Sequence, residues 1–361
     1  MKKEIYLGGL SFLLTACGGI NYVGIETCNP GEVTFPQDVR KVLMVNNAMA
    51  QPEKSGYTYS LLGVVQDTAQ AKADSALFDL CAACGTSMLD ASYFEDVLLF
   101  HDPLRDSGSS LMDRKLTRDQ VASLCRSNGA DAIISLDKML FAMEREDVNV
   151  GAGFLSGTIT VKMQGIMRAY LPGRDNALAT VLIEDSVEFQ QAAENLRMLN
   201  YYLPTANEAL RIAASALGGK VSGYFVPHWS EETRWYYNNA NSRWKEAAAF
   251  ASSSKWEQAE AIWKRVFEVT SSKSQQAKLA SNIALCYEMQ SQLKSAHEWA
   301  QKSYELFLAS EGEKNRNTEL LKAYAEVLKE RILADKKLNT QIGSRSVSYT
   351  HLRAHETLMN L

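Results

Sequence analysis

Short apolar runs alternating with helical stripes mark the first two thirds of the chain. VRKVLMV at 39–45 predicts a largely buried strand, ended by Asn46 and Asn47. Residues 74–92 place Leu77, Phe78, Leu80, Cys81, Cys84 and Met88 at helical spacing and predict a helix. FEDVLLF at 94–100 predicts a second strand, stopped by His101-Asp102-Pro103. Thr117-Arg118-Asp119-Gln120 has the form of a capping box, in which the Thr hydroxyl and the Gln amide satisfy N–H groups that a helix start leaves unpaired. Val121, Leu124 and Cys125 give that helix its apolar face, and Gly129 its C-cap. AIISL at 132–136 predicts a third strand. Strands alternating with helices in this way predict βαβ units and a mixed sheet with helices packed on it.

The period then changes to two. Ile159, Val161 and Met163 alternate with Thr160, Lys162 and Gln164, which predicts a half-buried antiparallel strand over 158–170. PGRDN at 172–176 is a turn, and 180–189 returns as the partner strand. Pro204-Thr205-Ala206-Asn207-Glu208 opens a helix with a second capping box. That helix carries Leu210, Ile212, Ala213 and Leu217 and is expected to close at Gly218-Gly219. Residues 37–228 therefore read as one α/β domain.

From Trp229 no strand pattern is visible, and the chain repeats itself. Ala247, Phe250, Trp256, Ala259, Trp263 and Val266 recur as Ala284, Tyr287, Leu293, Ala296, Ala300 and Ser303, always 37 residues on. Small and bulky residues at these spacings resemble tetratricopeptide-like helical hairpins. Leu320, Leu321, Tyr324, Val327, Leu328 and Ile332 add a final amphipathic helix. The expected fold class is α+β and multi-domain: an N-terminal α/β domain with a mixed sheet, then an all-α tetratricopeptide-like domain over 229–342. Two repeats and a helix fall short of the roughly three repeats that support themselves. Trp229, Trp235, Tyr236 and Tyr237 are the expected seam to the α/β domain.

The start of the chain has a different character. Lys2 and Lys3 precede a short apolar run and then Leu14-Thr15-Ala16-Cys17. Charge, apolar run and small residues before a cleavage point read 1–16 as a signal peptide. Leu-Thr-Ala-Cys resembles the bacterial lipobox, which makes Cys17 the lipidation site, and several acyl chains at one site anchor firmly. Ten apolar residues are too few for a permanent span, which takes about 20. Residues 17–36 are polar and turn-rich and are expected to be a tether. At the other end, 343–361 contains VSYTHLRAHET, which resembles a translated sequencing-adapter tail and is set aside as non-native, with His351 and His355 in it.

Composition removes whole classes of function. A net charge of −4 argues against a nucleic-acid binder. Walker, His-Glu-x-x-His and Gly-x-Ser-x-Gly motifs are missing, and the Gly-rich stretch at 151–157 precedes a strand rather than a helix. Cys81-Ala-Ala-Cys84 falls within a helical apolar stripe, which favours buried structural thiols over a redox pair, and it lacks a second pair of ligands for zinc. No cofactor, metal or catalytic residue is assigned.

The lipobox, Phe35-Pro36 before 39–45, Tyr93-Phe94 before Val97-Leu98-Leu99, Gly129-Ala130-Asp131-Ala132, and Pro227 with Trp229 and Arg234 together resemble a family of Bacteroidetes lipoproteins of unknown function with C-terminal tetratricopeptide-like helices. The α/β part also looks distantly like domains of envelope lipoproteins that assemble or activate larger machines. The resemblance implies an outer-membrane lipoprotein facing the periplasm, held to the membrane by its lipid. The expected function is a protein-interaction scaffold that takes an unidentified protein or peptide partner through its helical repeats. The repeat pattern carries the groove over to Asn241, Trp244, Ala248, Ala251, Lys278, Ser281, Leu285 and Glu288. The alternative is an envelope enzyme with a site on the α/β domain, at the strand ends near Asn46, Asn47 and His101.

Overall fold

The computed structural model describes residues 19–49, 51, 55–61, 64–105, 108–151, 153–343 and 352–355. Cys17, the signal segment 1–16 and most of 343–361 lie outside the described residues. The chain divides into two compact units, one of residues 29–228 and 337–348, the other of 1–28, 229–336 and 349–361.

In chain order the elements are β1 (Ile20–Asn29), β2 (Lys41–Asn46), β3 (Ser55–Leu61), β4 (Val64–Ala71), α1 (Asp74–Asp90), β5 (Asp96–Leu99), α2 (Arg118–Asn128), β6 (Ala132–Gly151), β7 (Phe154–Tyr170) and β8 (Ala179–Ala193). Then come α3 (Leu196–Tyr202), α4 (Ala206–Val221), β9 (His228–Tyr237), α5 (Ser242–Ser252), α6 (Trp256–Val269), α7 (Lys273–Met289), α8 (Leu293–Glu311), α9 (Arg316–Ile342) and β10 (Leu352–His355). This is the expected class, a mixed-sheet domain followed by a helical region.

The first unit holds a seven-stranded sheet in the order β4-β3-β6-β2-β5, with β7 paired to β6 and β8 to β7. β2 runs parallel to both β5 and β6, so Met44 lies beside Leu99 on one side and Ile134 on the other. β6, β7 and β8 form an antiparallel ribbon. β2 is apolar at every central position because both of its faces are covered. Val42 and Met44 share a core with Leu80 and Cys84 of α1 and Leu210 and Leu217 of α4. Leu43 and Val45 share another with Val121 and Cys125 of α2. Both capping boxes are formed, Thr117 with Gln120 and Thr205 with Glu208, and Gly129 takes the left-handed C-cap at φ 65°.

Gly218 and Gly219 do not end α4, which continues to Val221. Gly218 is there for a close approach: a Cβ on it would stand 2.3 Å from the Leu80 carbonyl oxygen of α1. β6 also runs far beyond AIISL, and its distal residues Arg145–Asp147 pair in parallel with β3.

In the second unit, β1 is flanked by β9 and β10 in a three-stranded sheet. Residues 20–29 are thus a strand rather than tether. Ile25 and Thr27 point inward and are buried, but the inward row is partly polar, which hides its period of two. Thr27 is satisfied by Ser230 at 3.2 Å and Glu232 at 3.4 Å, both on β9. The 37-residue offset is real in three dimensions. Trp256 opens α6 and Leu293 opens α8, and the residues two before them, Ser254 and Ser291, take matching left-handed turns at φ 55° and 59°. Ala247, Ala259, Ala284, Ala296 and Ala300 are all fully buried, which lets the helices approach closely. Ser303 fits the core because its hydroxyl donates to the Ala277 carbonyl at 2.7 Å. Three of the four aromatics expected as a seam pack within this unit's own core: Tyr236 on Trp263, Tyr237 on Phe307 and Trp235 on Tyr324.

Candidate functional site

The groove positions read from the repeat do not line an open groove. Trp244, Ala248, Ala251, Ser281, Leu285 and Glu288 are buried in the helical unit. Asn241 is exposed and caps α5 by accepting from the Arg243 N–H at 2.9 Å. Lys278 is half-buried, its ammonium 5.8 Å from the Tyr237 ring centre. The occupant is the chain's own β9. Asn282, wholly buried, accepts from the Tyr237 N–H and donates to the Tyr237 carbonyl, both at 2.7 Å. An amide that pairs with both main-chain groups of one residue holds an extended strand whatever its side chains are. The inner faces of two short hairpins are rich in alanine and apolar, and they must be covered by something. β9 covers them.

Glu288 fastens the same strand. Its carboxylate, fully buried, accepts from Arg234 Nε of β9 at 3.1 Å to each oxygen and from the Tyr324 hydroxyl of α9 at 2.5 Å. Arg331, also on α9, donates to it as well. Arg234 has Glu232 as a second partner. The anion beside it and burial hold the Tyr324 phenol well above its ordinary pKa, so it stays a donor. Sequence reading named Glu288, Leu285 and Ser281 as groove positions, where the structure buries all three, and it missed Asn282. The signal was an amide side chain inside a run of small and apolar residues, Ala280 to Cys286.

A second polar cluster lies in the α/β unit, just beyond the carboxyl end of β2. Asp137 is the extra residue where the β6–β7 register shifts between Leu136 and Lys138, a bulge that re-aims a side chain. Its buried carboxylate accepts four bonds: Ser135 Oγ at 2.6 Å, Asn47 Nδ2 at 2.9 Å, Arg168 Nη1 at 2.8 Å and the Tyr170 hydroxyl at 2.5 Å. Arg168, also buried, forks onto Asp113 with two bonds of 2.6 Å. Asn47 receives Arg105 Nε at 2.8 Å and donates to the Arg114 carbonyl at 2.8 Å. Tyr170 Oη accepts from the Leu116 N–H at 3.2 Å.

The arrangement suits binding of charge rather than proton transfer. All of the strong acceptor directions of Asp137 are taken. Burial and the adjacent Asp137 anion raise the Tyr170 pKa, which keeps the phenol protonated. The Arg168 guanidinium holds the Asp113 carboxyl below its ordinary value. Asn47, named from sequence, sits at the centre of this cluster. Asn46 is half-buried and turns back on its own chain, accepting from the Ala48 N–H at 3.2 Å. His101 is exposed and stacks on Phe78 with ring centres 5.9 Å apart, outside these hydrogen bonds. Cys81 and Cys84 are buried on α1, and burial pushes the Cys84 thiol up to about 12.

These features describe a two-unit protein with buried ionic clusters and no assigned chemistry. The chain belongs to the family described as domain of unknown function DUF8603, whose model matches residues 39–237. A second domain of unknown function, DUF6340, matches residues 245–330. No curated protein matches the chain. Among solved structures it is similar to protein XCC0632 from Xanthomonas campestris, of family DUF330, at 10% identity and a TM-score of 0.23, covering 55% of this chain and 92% of that one. It is also similar to a neuraminyllactose-binding hemagglutinin homolog from Helicobacter pylori, at 9% identity and a TM-score of 0.20, covering 54% and 82%. Among the described residues no helix is long and apolar enough to cross a membrane.

Proposed function

We propose that this protein is an envelope lipoprotein of a Bacteroidetes family, anchored through lipid at Cys17 in the outer membrane and facing the periplasm, whose tetratricopeptide-like hairpins serve as a protein-interaction scaffold. The basic start, the apolar run and Leu-Thr-Ala-Cys support the anchor. The 37-residue recurrence of helix starts and turns supports the repeat reading. The observation that carries the scaffold reading is the Asn282 amide pair with Tyr237, since it is how a helical face grips an extended chain. With β9 in that place, the partner meets the helical unit outside the filled groove. Asn241 and Lys278, the two groove positions that are not fully buried, mark its rim.

The test has two parts, made in the native host. Cys17→Ser should abolish acyl labelling and shift the protein out of the membrane fraction. A photo-crosslinking residue at Asn241 or Lys278 should trap one discrete partner. Undiminished acyl label after Cys17→Ser would remove the anchor, and an absence of adducts at both rim positions would remove the scaffold.

A further inference from the structure

We propose that the cluster beyond β2 is a binding site for a small anionic group, a carboxylate or a phosphate, and that Asp113 occupies the ligand's place. In open α/β sheets ligands bind outside the carboxyl ends of parallel strands, and this cluster lies there, between the end of β2 and the bulge in β6. Arg168 is the receptor. A guanidinium presents its N–H groups as a rigid fork matched to carboxylate and phosphate oxygens, and it stays charged at any accessible pH.

Two features separate Arg168 from an ordinary structural ion pair. Its Nε is buried and has no acceptor within hydrogen-bonding reach among the described residues. A buried donor of this kind is uncommon and costly, and it leaves the Arg168 guanidinium short of its full set of acceptors. Its two partners are also unlike each other. Asp137 is wholly buried and locked by three further donors, whereas Asp113 sits on an exposed segment with its side chain 35% accessible. Asp113 contributes only its carboxylate to the site and can be replaced there by another anion without opening the core.

The surrounding charge favours that exchange. Lys115 and Lys138 are near enough to stabilise the Asp113 anion together with Arg168. Arg105 reaches the cluster through Asn47. Take Asp113 away, and Arg168 keeps the buried Asp137 carboxylate alone, with Lys115 and Lys138 still within electrostatic range of the vacated place. This cationic surplus stands out in a chain whose net charge is −4.

The experiment uses the full chain at constant ionic strength, titrated calorimetrically with inorganic phosphate and, separately, with acetate. Asp113→Asn removes the internal competitor and should tighten at least one anion by about tenfold, the scale of one charge-assisted contact. Asp113→Asn with Arg168→Lys should lose that gain. A larger gain for phosphate assigns a phosphoryl ligand, and a larger gain for acetate a carboxylate. A gain under about threefold for both anions overturns the proposal, because a purely structural latch would lower stability without creating affinity. Should Asp113→Asn fold poorly, the Arg168 Nε–H resonance of the unaltered chain is followed during the phosphate titration. A saturable shift supports the site, and an unmoved resonance overturns it.

Discussion

Replacing Glu288 by alanine removes the acceptor on which three side chains from two other elements converge. The carboxylate is fully buried, and Arg234 and Arg331 beside it have side chains only 8% and 13% accessible. Without it two guanidinium groups and the Tyr324 hydroxyl lose their common partner. Glu232 remains for Arg234 but is itself partly exposed. Breaking a buried ion pair from one side costs about 3–5 kcal/mol, mostly through the charge left behind. For a unit of this size each kcal/mol moves the melting transition by a few degrees, so Glu288→Ala should lower it by about 10–20 °C. The measurement is far-ultraviolet circular dichroism of the full chain, whose helical signal comes largely from this unit. A companion variant separates charge from packing. Glu288→Leu combined with Arg234→Met and Arg331→Met removes the charges together, and such apolar replacements are often neutral or stabilising. It should melt well above Glu288→Ala. If Glu288→Ala melts within about 3 °C of the natural chain, or the triple variant melts lower still, the cluster does not act as a charge-balanced clasp on β9.

Two further outcomes follow from packing. Gly218→Ala should destabilise by about 1–3 kcal/mol, because its Cβ would meet the α1 backbone at 2.3 Å, while Gly219→Ala, whose Cβ has Ser87 Oγ at 3.6 Å, should stabilise by up to about 1 kcal/mol; chemical denaturation of both decides whether contact or helix propensity rules. Cys81 and Cys84 should resist alkylation of the folded chain at neutral pH, since burial raises both thiols, Cys84 to about 12; modification as fast as in denaturant would refute it.

The elements legible in the sequence are those whose inward residues are apolar. β2, α1 and the β7–β8 hairpin show their periods directly, and two capping boxes mark helix starts through purely local chemistry. The elements missed turn polar residues inward and satisfy them far along the chain. β1 points Thr27 at β9, about two hundred residues away. The far half of β6 shows no strand period because Arg145 and Asp147 are charged, yet they pair in the interior and Asn200 completes them. β9 carries Arg234 to a glutamate 54 residues on. The same holds for the candidate site. Asn47 stood out as a strand terminator, but Asp137, Arg168 and Tyr170 looked like unremarkable strand residues, since a β-bulge and cross-strand pairing leave no local trace. The groove positions had the right helical faces and the wrong accessibility, because the strand that fills them has no recognisable pattern.

The 29–228 segment of the α/β unit stands in the chain between β1 and β9, and this sets an order of assembly. β1 is made early, but β9, its partner, follows only after the 29–228 segment of the other unit. Closing so long a loop in an unfolded chain costs several kcal/mol of entropy, roughly as its logarithm. That segment abolishes the cost when it folds, because its own ends meet: the Val33 N–H donates to the Tyr224 carbonyl at 2.8 Å. Val33 lies a few residues past β1, and Tyr224 a few before β9, so the two strands are delivered side by side. Until then β1 is a bare edge able to pair with whatever extended segment it encounters. A chain synthesised N-terminus first therefore has reason to complete its α/β unit quickly, and lesions in that unit should surface as misassembly of the helical one.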